Sequence, residues 1–301
     1  MALYDVYIVG CGGVGGHLVS LLPQTMACLM VDKAEPDQRE RMLSSEGLDI
    51  PAGVNPFRRL VLIDGDRFSG HNALRQAAVT GSKLEVQMTR IRHSDVFSTW
   101  LNDTHLEGYD LYLTPENTGK VFEGTSNCVV FMGVDNHKTR YELSRYFETN
   151  PNIHRILLIN GGNEKTTGNV TIWQRSYGAD YDPPLYKLYP DVNPNADKRP
   201  DEVACGTVAV NNDQTNIINN MIATVMINMF RKYVMADGSN MAFEQKLRQR
   251  GAHGEDQFIR KNEVIIDLEN NTMMALSHKR DADNRRAAVT LENVPENAEL
   301  N

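Results

Sequence analysis

The sequence predicts an α/β fold: a Rossmann-like, mostly parallel sheet flanked by helices, with a late antiparallel extension and a cysteine-bearing crossover loop. Three observations predict it. Apolar segments of strand length recur along the chain, segments of helical periodicity separate them, and a glycine-rich turn, "GCGGVGG", follows the first apolar segment. Strands that alternate with helices form parallel β-α-β units, so we expect a sheet covered on both faces.

The predicted elements follow this pattern along the chain. Continuous apolar runs indicate strands that are buried on both faces, as in parallel sheets. Strands are predicted at residues 4–9, 59–66, 127–136 and 155–161, at 169–174 in a different orientation, and in a late hairpin around Asn270-Asn271. Helices are predicted at residues 12–28, from residue 83 onward, at 138–149 and at 211–230, where apolar pairs recur on one helix face.

Residues 1–278 are predicted to form a single domain. The polar, proline-broken segment 33–58 and the weakly patterned segment 102–124 are interpreted as insertions. Residues 177–212, rich in Pro, Asp and Asn at their start, are predicted to be a long crossover loop. Residues 279–301 are charged and almost free of aromatic residues, so we expect a disordered tail.

Composition argues against several classes of protein. The chain has 301 residues, 41% of them apolar and 23% charged, which is typical of a soluble globular protein. Its net charge of −8 offers no basic stripe for phosphates, so we expect no nucleic-acid partner. We also expect no signal peptide, no apolar run near membrane-spanning length and therefore no membrane partner, and a cytoplasmic location.

The glycine-rich turn predicts a phosphate-binding loop. Residues without side chains permit a tight strand-to-helix turn, and the helix N-terminus then offers N–H groups to an anion. A turn packed tightly for structural reasons is the alternative. Asp32 stands at the spacing of an NAD-binding acid, whereas Asp64 ends the more apolar strand "RLVLIDGD". The glycines concerned are Gly10, Gly12, Gly13 and Gly15.

The motifs that follow Asp64 favour a different nucleotide. They are Asp64-x-Asp66, Asn72-x-x-Arg75-Gln76, Lys83 after a small-residue turn, "GVDNHKTR" with Asp135, Asn136 and Arg140, and "INGGNEKTTGNVTIW". In this order behind a GxGGxG loop, they resemble the adenylation core of the ubiquitin-activating superfamily, of the ThiF/MoeB/HesA type. The resemblance covers roughly residues 4–235 and implies that residues 1–278 are one ThiF-type adenylation domain.

The resemblance implies a site for ATP and Mg²⁺. The glycine loop would approach the phosphates through backbone N–H groups, and Asp64 would accept the ribose hydroxyls. Asn72, Arg75 and Lys83 would supply donors and positive charge as pyrophosphate leaves, which makes Arg75 and Lys83 candidate catalytic residues. Asp135 would be the Mg²⁺ ligand, a hard oxygen for a hard cation.

Three further residues belong to the expected nucleotide site. Gln76 would orient its neighbours, and Asp66 and Asn136 would line the site. Taken singly, Asp66 and Asn136 are also compatible with turn formation, and Arg140 with a surface pairing to Glu142 or Glu148.

The four cysteines stand far apart, and only one is a candidate nucleophile. Because no Cys-x-x-Cys pair occurs, we expect neither zinc nor a disulfide framework. Cys11, Cys28 and Cys128 are interpreted as packing residues. Cys205 lies just before the amphipathic helix, and related activating enzymes form their thioester on a cysteine at this place. The N-terminus of the helix would lower the pKa of the Cys205 thiol. The alternative is a small, half-buried residue at a helix entry.

The function predicted from the resemblance is ATP-dependent adenylation of the C-terminal carboxylate of a ubiquitin-like or sulfur-carrier protein. Thioester formation on Cys205 and transfer to a conjugating enzyme or sulfur donor would follow. The alternatives are adenylation of a peptide or tRNA without a covalent step, a non-catalytic nucleotide-binding scaffold and, last, a nicotinamide oxidoreductase. A homodimer is expected; family dimers often receive an arginine from the partner subunit, and Arg90, Arg92 or residues 33–58 could supply the equivalent charge.

Overall fold

The computed structural model describes residues 3–44, 50–68, 80–180, 182–194, 197, 202, 215–237 and 262–276. The strands in these residues are β1 Tyr4–Val9, β2 Phe57–Ile63, β3 His105–Tyr109, β4 Asn127–Met132, β5 Arg155–Asn163, β6 Thr167–Ser176, β7 Ala179–Asp180, β8 Glu263–Asp267 and β9 Thr272–Leu276. They form one sheet in the order β3-β2-β1-β4-β5-β6-β8-β9, with β7 beside β6. Pairing is parallel from β3 through β2, β1 and β4 to β5. The strands β6, β8 and β9 pair antiparallel to their neighbours. The predicted fold class, with its late antiparallel extension, is confirmed.

Helices cover both faces of the sheet. Side chains alternate along β1, so that Val6 and Ile8 face one core while Tyr7 and Val9 face the other. The helices of the described chain are α1 Gly13–Lys33, α2 Pro36–Met42, α3 Lys83–Arg92, α4 Asp95–Trp100, α5 Pro115–Val121, α6 His137–Thr149, α7 Leu185–Leu188 and α8 Asn216–Asp237. The first core includes residues of α1, α3, α4 and α8, and the second includes residues of α5 and α6.

Residues 102–124, interpreted from the sequence as an insertion, contain an edge strand of the sheet and a helix. β3 pairs in parallel with β2, and α5 follows it. The strand "HLEGY" is only half buried and has Gly108 in its interior, so it shows neither a continuous apolar run nor a clear alternation. The other predicted insertion, 33–58, contains α2.

The helix α1 is more apolar than the sequence interpretation allowed. By length and composition it could cross a membrane, and it is the one such helix in the described part of the chain. The expectation that no apolar run approaches spanning length was therefore wrong. In the fold, Leu18, Leu22 and Met26 of α1 are fully buried in the core that α1 shares with α8 and the sheet. The apolar side chains of α1 therefore pack in the protein core.

A buried polar cluster ties β1 to β2 at the amino ends of these strands. Asp5 is 1% exposed and accepts hydrogen bonds from Arg58 Nε at 2.7 Å and from Arg59 Nη2 at 3.0 Å. Arg59 also donates to the hydroxyls of Tyr7 and Thr125. Burial by itself would raise the pKa of Asp5, but the hydrogen bonds and charges of Arg58 and Arg59 outweigh it and lower that pKa. The cluster fixes the pairing of β1 with β2 at the amino ends of these two strands.

The variant Asp5→Ala is expected to lower the free energy of unfolding by about 3 kcal/mol, because it removes the buried carboxylate that pairs with Arg59 and leaves Glu107, at 3.5 Å, as the only carboxylate beside Arg59 among the described residues. Urea unfolding at pH 7 measures the change. The matched control is Asp32→Ala, which removes an exposed pairing to Arg39 at 3.5 Å and should cost less than about 1 kcal/mol. Equal losses in the two variants would contradict the role of the buried cluster.

A second buried carboxyl group lies at the start of the crossover segment. Asp182 is 9% exposed, and its Oδ1 accepts a hydrogen bond from Asn262 Nδ2 at 3.1 Å. Burial raises the pKa of Asp182 to about 7, against the effect of this bond and of one from the Gln174 backbone N–H. This contact joins the crossover segment to the residue before β8.

Because the pKa of Asp182 is higher in the folded chain than the ordinary value of 3.8, the folded state holds this proton more tightly. Stability should therefore fall as the pH rises from about 4 to about 7, by at most ~1.4 kcal/mol per pH unit, and level off above that range. Urea unfolding of the wild type and of Asp182→Asn between pH 4 and 8 isolates this component. The exposed Asp103→Asn serves as the control and should keep the wild-type profile. If the stability of Asp182→Asn changed with pH in parallel with that of the wild type, the pH dependence could not be assigned to Asp182.

Candidate active site

The chain order of the sheet reverses between β1 and β4. β2 and β3 extend from one side of β1, whereas β5 extends from the far side of β4. A crevice therefore opens where the carboxyl ends of β1 and β4 diverge, which is the usual ligand site in open α/β sheets. The glycine loop after β1, Asp64 after β2 and residues 133–136 after β4 all lie at this edge.

Close backbone contacts make two of the loop glycines necessary. Gly10 has a φ of +85°, and a Cβ built on it would lie 2.9 Å from the carbonyl carbon of Gly133. A Cβ on Gly15 would lie 1.8 Å from the carbonyl oxygen of Gly10. The loop after β1 therefore packs against the loop after β4 with no room for side chains, and the first turn of α1 starts beside both.

The N-terminus of α1 has no side-chain cap. The helix begins after Gly12 without a side-chain cap, and its first turn holds no acidic residue. Backbone N–H groups of a first helical turn have no partner within the helix, and the helix dipole favours negative charge there. This end of the helix has the properties that phosphate-binding glycine loops exploit.

Asp64 links this loop to the end of β2. Its Oδ2 accepts a hydrogen bond from the Cys11 backbone N–H at 2.6 Å, and its Oδ1 accepts one from the Asp66 N–H at 2.8 Å. The side chain is buried, and burial raises the pKa of Asp64, while the charge of Lys83 and the two backbone bonds act in the opposite direction. Asp64 is thus held rigidly beside the glycine loop.

Lys83 reaches the same place from α3. The helix starts at Lys83, where Ser82 caps it by accepting the N–H of Glu85. The Lys83 ammonium pairs with the Asp66 carboxylate, and its charge acts on Asp64. The structure therefore brings together Asp64, Asp66 and Lys83, three of the residues that the sequence assigns to the nucleotide site.

The loop after β4 contributes Asp135 and the start of α6. Asp135 is exposed at the loop, whereas the side chain of Asn136 is buried and caps α6 by accepting the Thr139 N–H at 2.8 Å. Arg140 does not lie at the surface. Its buried guanidinium donates to the carbonyl oxygens of Val134 and Gly161, and burial lowers its pKa to about 10. Arg140 therefore fastens the loop after β4 to the end of β5.

Several predicted site residues lie outside the described residues: Asn72, Arg75, Gln76 and Cys205. Among the other cysteines, Cys11 and Cys128 are buried, as predicted, but Cys28 is exposed, so its interpretation as a packing residue was wrong. Arg90, a candidate for a partner-directed arginine, donates instead to Gly16 and Ser20 of its own α1.

The structure also shows polar residues near the site that the sequence did not indicate. Asn219, in the first turns of α8, lies against Gly13 and pairs with Asn163 at the end of β5. Asp197 of the crossover segment accepts the N–H of His137 at the start of α6. Within the described ranges, no three His, Cys, Asp or Glu side chains group as a metal-ion site.

This chain is similar to known proteins in its structure. No protein-family model and no curated protein matches the chain. PaaA superposes with a TM-score of 0.54 at 12% identity, over 92% of this chain and 65% of PaaA. E. coli MccB with ATP gives 0.53 at 14% identity, over 92% and 64%, and the microcin C7 biosynthetic enzyme MccB in complex with N-formylated MccA gives 0.53 at 14%, over 92% and 65%.

This chain thus spans about 65% of the length of these neighbours. The parallel core, the glycine loop and the acids after β2 and β4 thus stand in a fold that this chain shares with PaaA and MccB.

Proposed function

We propose that this chain is an ATP-dependent enzyme that adenylates the carboxylate of a peptide or protein. The observation that carries the proposal is the convergence of the uncapped α1 N-terminus, Asp64, Lys83 and Asp135 at one crevice of the sheet. The likeness to MccB, which has been crystallised with ATP and with N-formylated MccA, supports it.

The nucleotide would bind across the crevice between β1 and β4, where the chain order of the sheet reverses. Each Asp64 oxygen accepts one backbone N–H and keeps a lone pair for a ribose hydroxyl. The phosphates would lie at the first turn of α1, where dipole and N–H groups favour negative charge. Lys83 would exchange its contact with Asp66 for a phosphate oxygen, a short move for a flexible ammonium group.

The residues present fit Mg²⁺ bound together with a triphosphate. Mg²⁺ is held in such sites by one or two carboxylates, with phosphate oxygens and water completing its shell. Asp135 supplies one exposed carboxylate at the carboxyl end of β4. When bound, the ion would neutralise phosphate charge.

In the proposed reaction a substrate carboxylate oxygen attacks the α-phosphorus of ATP, and the bond to pyrophosphate breaks. The products are an acyl-adenylate and pyrophosphate, and the negative charge that develops on the leaving group is stabilised by Lys83 and, as the resemblance implies, Arg75. In the second proposed step the Cys205 thiolate attacks the acyl carbonyl and AMP leaves, which forms a thioester. The acyl donor would be a ubiquitin-like or sulfur-carrier protein, and the enzyme a homodimer.

The variant Lys83→Gln tests the first step. We expect pyrophosphate exchange into ATP, measured with candidate acyl substrates, to fall about 100-fold because a cation at the developing charge is lost. Lys120→Gln removes an exposed lysine on α5 and should retain wild-type exchange. A normal exchange rate in Lys83→Gln would contradict the assigned role, and the absence of exchange in the wild type would contradict the proposed function itself.

The variant Cys205→Ala separates the two proposed steps. We expect it to retain pyrophosphate exchange within about twofold but to form no thiol-sensitive adduct with the acyl substrate, as judged by intact mass. Cys28→Ala is the control, since Cys28 is an exposed cysteine outside the site. If product still formed at the wild-type rate in Cys205→Ala, adenylation without a covalent step would be the better description.

A further inference from the structure

Asn219 lies where a nucleotide phosphate would bind, although it belongs to a different part of the chain from the glycine loop. It stands in the first turns of α8, its side chain is fully buried, and its amide packs against Gly13 at the start of α1. A Cβ built on Gly13 would lie only 2.6 Å from Asn219 Nδ2. Glycine at this position therefore leaves space for the amide as well as for the turn.

The hydrogen bonds of this amide are incomplete. Asn219 Oδ1 accepts a hydrogen bond from Asn163 Nδ2 at 2.6 Å, which orients the Asn219 nitrogen toward the glycine loop. Within the described chain, Asn219 Nδ2 is buried and has no hydrogen-bond partner. A buried donor left unsatisfied costs about 1–3 kcal/mol, so a native structure that retains one calls for an explanation.

We propose that Asn219 Nδ2 donates a hydrogen bond to a phosphate oxygen of the nucleotide at the N-terminus of α1. The inference rests on the proposed function and adds α8 to the phosphate-binding elements. The ligand chemistry follows from the donors: the buried Asn219 amide lacks an acceptor, the first turn of α1 has no side-chain cap, and the helix dipole favours an acceptor that is negative. A phosphate oxygen meets both requirements, whereas the nucleoside part of the ligand does not.

The test compares two ligands and two variants by isothermal titration calorimetry. Asn219→Ala removes the donor, whereas Asn163→Ala breaks the same Asn163–Asn219 hydrogen bond but leaves Nδ2 in place. For ATP, Asn219→Ala is expected to weaken binding about tenfold or more, the usual worth of a hydrogen bond to a charged group, and Asn163→Ala less than about threefold. For adenosine, which has no phosphate, both variants should bind within about twofold of the wild type.

Each contrary result has its own meaning. If the wild type binds ATP and Asn219→Ala binds it equally well, the role of Asn219 is wrong while the proposed function stands. If Asn219→Ala weakens adenosine as much as ATP, or if Asn163→Ala has the same effect as Asn219→Ala, the residue only supports the fold and the inference is overturned. Failure of the wild type to bind ATP overturns the proposed function, and the inference with it. Thermal unfolding verifies that each variant folds; Asn219→Ser, too short to reach the phosphate, repeats the comparison if the alanine variant does not.

Discussion

The site depends on one buried carboxylate. Both Asp64 oxygens are engaged by backbone N–H groups, one from the loop after β1 and one from the turn after β2. Through these bonds a single side chain sets the distance between the glycine loop and the segment that carries Asp66, the partner of Lys83. The arrangement costs desolvation, which is reflected in the raised pKa of Asp64. A nearby cation and two amide donors offset this cost, so the carboxylate can be rigid and still retain lone pairs for a ligand.

The sheet separates stability from chemistry by using its two ends differently. At the amino ends of β1 and β2, Asp5 and its arginines form a cluster in which most polar atoms bind one another. At the carboxyl ends, polar groups remain available: the uncapped first turn of α1 and the amide nitrogen of Asn219. Closed networks raise stability, whereas open ones create binding capacity at some cost to it.

The sequence predicts the parallel core and the position of the site because these depend on local patterns. Continuous apolar runs mark β1, β2, β4 and β5. Parallel pairing alone brings Asp64, which follows β2, and Asp135, which lies in the loop after β4, to the same end of the sheet. The sequence does not predict β3, because an edge strand buries too little surface to need an apolar run. The sequence does not indicate the proposed role of Asn219, because the residue stands among apolar pairs of α8. Only the fold, by packing it against Gly13 more than 200 residues away in the chain, brings it to the candidate site.

The same contact would connect the two steps of the proposed reaction. α8 follows the crossover segment in the chain, and that segment also touches the start of α6, where Asp197 accepts the His137 N–H next to the Asn136 cap. The proposed phosphate site would therefore be bordered by α1, α6 and α8; α6 contacts Asp197 of the crossover segment, and α8 follows that segment in the chain. A ligand that gains a hydrogen bond from Asn219 would favour the arrangement in which α8 is packed against Gly13, and by reciprocity that packing would favour the ligand. Under the proposed function, nucleotide binding would thus be linked to the packing of α8, a helix that no glycine-loop motif identifies.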